Sequence, residues 1–295
     1  MRVKRIANDR AADARALRVR YWVGECLRQT GTDNLHALAK FVEPELVWSN
    51  PENGERSWTN KWRGYGKGSR TPREALVDRV ANLEVGGRSC SETKRVFHHV
   101  LWEVLAVEEP KPALVGHWLA KLGAELPVIF HTARWLPATS TAPDIPELGL
   151  RQIRQLERRI NLDSLALATL IFLQASNRRS KQLSSLTGST TVQLLHLLFP
   201  KLLDLGVAMP MLTFYKRWVV NGREGHRADF SLDIDVEFRV RLVASLMRSM
   251  REQGACMDTI KDRERELRAL FDGHYGWPIR DLLLGATPQD PSVQS

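Results

Sequence analysis

The chain has 295 residues, 43% hydrophobic and 26% charged, a balance that excludes a collagenous, low-complexity or globally disordered protein. The formal charge is +9, and the first 100 residues hold 19 Lys and Arg against 12 Asp and Glu. That skew points to a polyanionic partner, nucleic acid before an anionic membrane surface. The longest apolar run, Leu165–Leu173, is nine residues, far short of the roughly 20 that cross a bilayer. Met1–Arg10 is basic with no apolar segment behind it, so no secretory signal is expected. Cys26, Cys90 and Cys256 form neither a CxxC pair nor a disulfide framework, which fits a reducing, cytoplasmic setting.

Helical periodicity dominates, and the predicted fold is all-α. Leu17, Tyr21, Trp22 and Cys26 predict a helix over Ala16–Thr30. Asp33 or Asn34 caps a second helix ending at Val42, with Leu35, Leu38, Ala39 and Val42 on one face. Residues 44–56 read as a loop containing Pro51, Asn53 and Gly54. Trp58, Trp62 and Tyr65 then predict a helix over Ser57–Tyr65, closed by the glycines of Gly64–Gly68. Pro72 opens a helix over Arg73–Leu83, and residues 94–106 read as another. Glu108–Pro112 is a predicted linker, followed by short helices at 113–123 and 127–136 and a proline-rich stretch at 137–147.

The remainder predicts helices at about 148–160, 161–176, 190–205, 207–220, 235–252, 257–272 and 277–284, with a disordered tail at 286–295. Ser184–Thr191 reads as a polar loop capping the next helix. No alternating strand is expected; Ser231–Val240 comes nearest, and an acid-rich helix start explains it equally. The predicted domains are a basic 1–105 and a helical 106–285.

Tyr65, Gly68 and Pro72 keep the spacings that follow the recognition helix of the lambda-repressor-like (XRE-type) helix-turn-helix family, which the segment resembles. The resemblance makes Ala16–Thr30 and Asn34–Val42 the scaffold helices and Ser57–Tyr65 the recognition helix. It implies that this helix enters the major groove of double-stranded DNA. Thr59, Asn60, Lys61 and Arg63 then fall on the groove side, where Asn pairs with adenine and Arg with guanine. Arg56, Lys67 and Arg70 flank the helix and would meet phosphates. One departure stands out. Ala39 and Trp62 lie 23 positions apart, an insertion of about 13 residues where the motif has a tight turn.

Other signals carry less. Gly64–Ser69 lacks the phosphate-loop spacing and no strand precedes it. His98, His99, His117 and His131 have no ligand-spaced partners, so no metal and no cofactor is expected. Asp233, Asp235 and Glu237 show no nuclease pattern, and nothing else predicts an enzyme. Arg151, Arg154, Arg158 and Arg159 offer a second nucleic-acid surface or a solvated helix face. Trp102, Trp118, Trp135, Trp218 and Trp277 read as core.

The leading expectation is a sequence-specific DNA-binding regulator, homodimeric because one such unit reads few base pairs. RNA is an alternative ligand for the same surface. The alternative function is a helical adaptor that binds nucleic acid non-specifically and another protein through residues 106–285. A mobile-element or phage-defence setting, bacterial or phage-like, suits either reading by family analogy.

Overall fold

A computed structural model describes residues 2–46, 48–49, 56–57, 60–139, 143–178, 180–220, 236–252, 254–256 and 259–271. Of these, 74% are helical and 5% are in strands, so the fold is all-α. The chain forms two compact units: Met1–Val107 joined by a return segment Leu202–Pro210, and the described residues outside these ranges.

The first unit is built on α1 (Arg2–Thr30), one turn after another longer than the predicted Ala16–Thr30. It stops where Gly31 takes φ 66° and Thr32 N–H returns to the Leu27 carbonyl at 3.1 Å. That is a left-handed glycine cap, available because glycine has no β-carbon to clash. α2 (Leu35–Val42) follows, its first turn capped by the Asn34 side chain, which accepts from His36 N–H and Ala37 N–H. A single 3₁₀ turn, Pro44–Leu46, leads to a hairpin of β1 (Trp48–Ser49) and β2 (Arg56–Ser57). The helix expected from Ser57 therefore begins later, as α3 (Lys61–Gly66). α4 (Glu74–Ala81) and a second small hairpin, β3 (Glu84–Val85) with β4 (Arg88–Ser89), come next.

The helix expected over 94–106 is broken into α5 (Ser91–Phe97) and α6 (Val100–Ala106). His99 leaves helical geometry at ψ 135°, and its ring nitrogen accepts from Leu101 N–H at 3.1 Å. The Trp102 indole bridges the break by donating to the Val96 carbonyl at 2.7 Å. Val19, Trp22, Val23, Cys26, Leu38, Ala39, Val42, Trp62, Tyr65, Leu76, Val77, Val80 and Phe97 form one core. The return segment closes this unit at Leu205. A β-carbon on Gly24 would stand 2.4 Å from the Leu205 carbonyl oxygen, so glycine is required for that approach.

The second unit comprises α7 (Pro112–Glu125), α8 (Pro127–Thr132), a hairpin of β5 (Arg134–Leu136) with β6 (Ile145–Glu147), and α9 (Leu150–Arg158). Then come α10 (Leu162–Asn177) and α11 (Lys181–Leu197); the end of α12 (Phe199–Asp204) and the start of α13 (Ala208–Phe214) belong to the return segment of the first unit. α13 runs into a wide turn with π-helical bonding at Tyr215–Val220, and α14 (Val236–Glu252) and α15 (Ile260–Phe271) end the described chain. α10 is buried from Leu162 to Ser176, on every face, and packs along α11.

Ser184–Thr191, expected as a loop, lies inside α11. Its hydroxyls bond within the helix: Thr187 to the Leu183 carbonyl at 2.6 Å, Thr190 to Leu186 at 2.8 Å and Thr191 to Thr187 at 2.8 Å. The buried threonine hydroxyls are satisfied without leaving the helix, and Ser184 Oγ lies 3.0 Å from Ser176 Oγ of α10, which is why a polar run fits the core. Trp102, Trp118 and Trp218 are buried as expected, whereas Trp135 is 43% exposed. Residues 286–295, Trp58, Trp277, Asp233 and Asp235 lie outside the described residues. Val236–Val240, the end of the doubtful strand segment, is helical.

Candidate nucleic-acid interface

α3 is six residues, about 9 Å of helix at 1.5 Å per residue. A helix this short is unstable alone and depends on its contacts. Trp62 supplies most of them. Its ring stacks on Trp22 of α1 with centroids 5.9 Å apart and planes 13° from parallel. Tyr65 meets Trp62 edge-on at 5.6 Å and Trp22 at 6.2 Å. Trp62 is 1% exposed, and its indole N–H donates to Glu43 Oε2 at 2.9 Å. Glu43 also accepts from Lys61 Nζ, at 2.6 Å and 2.9 Å. The last residue of the α2 turn thus grips the first two residues of α3, and the inserted hairpin between them does not separate the helices.

The glycines expected as a helix exit set how tightly α3 sits. A β-carbon on Gly66 would lie 2.7 Å from Leu35 Cδ1, and one on Gly64 would lie 2.8 Å from Arg70 Cδ. Gly68 has φ 69°, and its Cβ position is 2.6 Å from the Ala16 carbonyl oxygen. Arg20 of α1 completes the clamp: its Nε and Nη2 donate to the Lys67 carbonyl at 2.9 Å and 2.8 Å. Gly66 and Gly68 thus serve packing against α2 and α1, and Gly64 lets the Arg70 stem lie against α3.

With Trp62, Gly64 and Tyr65 buried, the outward residues along α3 and its two caps are Asn60, Arg63 and Lys67. Spaced at i, i+3 and i+7, they share one face. Asn60 is exposed, and its side chain makes no capping bond to the helix. Arg70 is exposed and continues the stripe. Lys61 differs, because its ammonium is committed to Glu43. Arg56 lies in β2, where its backbone is opposite Ser49. Thr59 lies outside the described residues.

Beside the stripe is an open cleft of about 760 Å³. Lys61, Arg70, Arg73 and Arg79 line it, with Glu43 and Tyr65. Arg79 pairs with Glu45, which holds its guanidinium above its ordinary pKa and the Glu45 carboxyl below its own. Burial, then the nearby Glu43 charge, raises the Tyr65 phenol, so it remains a neutral donor. Neither Arg73 nor Arg79 was a sequence candidate. Arg73 stands at the start of α4 and is exposed; its only sequence signal is basic character next to Pro72.

His98 bonds Glu74 at 2.7 Å and His99 caps α6. Among the described residues no group of three or more His, Cys, Asp or Glu could hold a metal ion, and no helix is long and apolar enough to cross a membrane. No protein-family model matches the chain, and neither a curated protein nor a solved structure matches it significantly.

Proposed function

We propose that the chain is a sequence-specific double-stranded-DNA-binding regulator that works through its first unit, in the cytoplasm and without a cofactor. The observation that carries this reading is the Asn60, Arg63 and Lys67 stripe on α3, opposite the buried Trp62 and Tyr65. A rigidly backed helix with an amide and a guanidinium outward matches what base-edge recognition requires. In this reading Asn60 and Arg63 meet bases, while Lys67, Arg70 and Arg73 meet phosphates. Lys61 positions α3 through Glu43. The helix-turn-helix resemblance supports the same assignment, with homodimerisation supplying the second half-site.

The test is fluorescence anisotropy of the full chain with pooled random duplex across a salt series, followed by selection of the bound sequences. An enriched motif is the expected result. Asn60→Ala and Arg63→Ala should each relax base preference by about 1–3 kcal/mol. Lys67→Ala should weaken all sequences evenly and flatten the salt slope by about one phosphate contact. Equal losses for every sequence in the Asn60 and Arg63 variants would reject base readout.

A second reading is a helical adaptor whose second unit docks a protein partner. It is favoured by the exposure of Val128, Trp135 and Leu150, the last at 69%. Salt-sensitive DNA binding without an enriched motif would support it.

A further inference from the structure

The second unit has its own concentration of positive charge, which the DNA-binding reading leaves unused. The end of α9 and one face of α15, more than 100 residues apart in sequence, border a single cleft of about 540 Å³. Arg158 and Arg159 line one side; Lys261, Glu264, Arg265 and Arg268 line the other. The four α15 positions fall at i, i+3, i+4 and i+7, one stripe of the helix. The sequence shows the α9 arginines as an isolated basic run, and folding brings the α15 cations to face them.

Two arginines are fixed in place without being neutralised. Arg159 Nη1 donates to the Glu125 carbonyl at 3.0 Å, and Arg268 Nη2 donates to the Glu157 carbonyl. A carbonyl orients a guanidinium but leaves its charge intact. Arg158 and Lys261 make no hydrogen bond or ion pair among the described residues. Arg265 is shared with Asp262 and Glu266 at 3.2 Å and 3.4 Å. Glu264 is the one carboxylate lining the cleft. Burial pushes its pKa up to about 7, against the pull of Lys201 and Arg268, so near neutrality it is only partly ionised and offsets less than a full charge.

We propose that this cleft binds a compact ligand carrying two or more linked phosphate groups, supplied either by a nucleoside polyphosphate or by a free polyphosphate. Arg158, Arg159, Lys261 and Arg268, on two sides of one concavity, can surround such a group without Arg265, which Asp262 and Glu266 share, and the volume is that of a small-ligand site. A duplex backbone would instead call for cations spread along an open face. The assignment stands apart from the DNA-binding reading and does not need it.

Isothermal titration calorimetry of the full chain tests it, using inorganic tripolyphosphate, ATP and inorganic phosphate at low salt. Both triphosphates should bind saturably, and orthophosphate at least tenfold more weakly, as expected if each lost charge-assisted contact costs about a factor of ten. Stronger binding of ATP than tripolyphosphate would identify a nucleotide as the source; equal binding would identify the phosphate chain. Both outcomes support the site.

Arg158→Ala and Lys261→Ala break no internal bond, and each should weaken triphosphate binding roughly tenfold with an unchanged circular dichroism spectrum. Glu264→Gln should tighten it. No saturable triphosphate binding by the wild-type chain would overturn the proposal, as would binding indifferent to Arg158→Ala and Lys261→Ala. So would loss of duplex binding in those two variants with no triphosphate binding to wild type, which would make the cleft part of a nucleic-acid surface.

Discussion

At Gly68 the backbone has φ 69° and the Ala16 carbonyl oxygen occupies the space a β-carbon needs. Gly68→Ala therefore meets two penalties, a left-handed backbone and a clash with main chain that cannot swing aside. The expected loss is about 2–3 kcal/mol, read by denaturant unfolding, with weaker DNA binding because the Lys67 turn is displaced. A loss below the accuracy of that measurement would show that α3 is not seated on α1 at this point. Glu264 gives a different residue-scale prediction. Its pKa of about 7, against an ordinary 4.5, means the folded state holds a proton that the unfolded chain releases. The associated stability is complete below about pH 4.5, lost as pH rises through about 7 and absent above it. Allowing for solvent at this partly exposed site, the change is about 1 kcal/mol. Thermal unfolding from pH 5 to 8 should show it in the wild type, and Glu264→Gln should flatten it. The two residues differ in legibility. Gly68 and its distance to Pro72 are evident in the sequence, whereas the burial of Glu264 is set by where α15 packs, on elements such as α11 that lie far away in the chain.

Elements were legible where a single periodic face dictated them and obscure where tertiary partners did. α2, with Asn34 as its cap, and the aromatic stripe of α3 follow directly from spacing. The shortening of α3 does not, because Ser57 is drawn into pairing with Trp48 and hairpins of two-residue strands leave no alternation to detect. The break between α5 and α6 depends on a histidine acting as a cap, and the polar run in α11 depends on hydroxyls satisfied by the preceding turn. The stripe of Asn60 and Arg63 was legible; the diversion of Lys61 to Glu43 was not, since its partner lies 18 residues away. At this scale α3 should depend on Trp62 more than on any charge. Trp62→Ala removes the Trp22 stack, the Tyr65 edge contact and a donor to buried Glu43. It should cost about 3–5 kcal/mol, while Lys61→Ala, which leaves Glu43 the indole bond, should cost about 1–3 kcal/mol. Urea unfolding monitored by tryptophan fluorescence compares them. A smaller loss for Trp62→Ala than for Lys61→Ala would mean that the ion pair, not the stack, holds the helix.

For the whole molecule, the excess charge and the candidate interface both belong to the first unit, but that unit is not a contiguous piece of chain. Leu202–Pro210 belongs to it, and Leu205 covers Gly24 at a distance only glycine permits. Leu202, Leu205, Val207 and Ala208 are all buried. A fragment of residues 1–107 leaves the α1 surface around Gly24 open to water and lacks the apolar area those four side chains bring. At about 25 cal/mol per Å² of apolar surface, losing several buried side chains amounts to a few kcal/mol. The fragment should therefore melt several degrees below the transition that Trp22 and Trp62 report in the full chain. Attaching residues 202–210 through a flexible linker should recover part of the difference, because the segment then binds intramolecularly. If the bare fragment melts with the full chain, the return segment adds nothing to the unit. If the linked segment restores the melting temperature and duplex binding rises with it, the basic surface needs this later part of the chain to hold its shape.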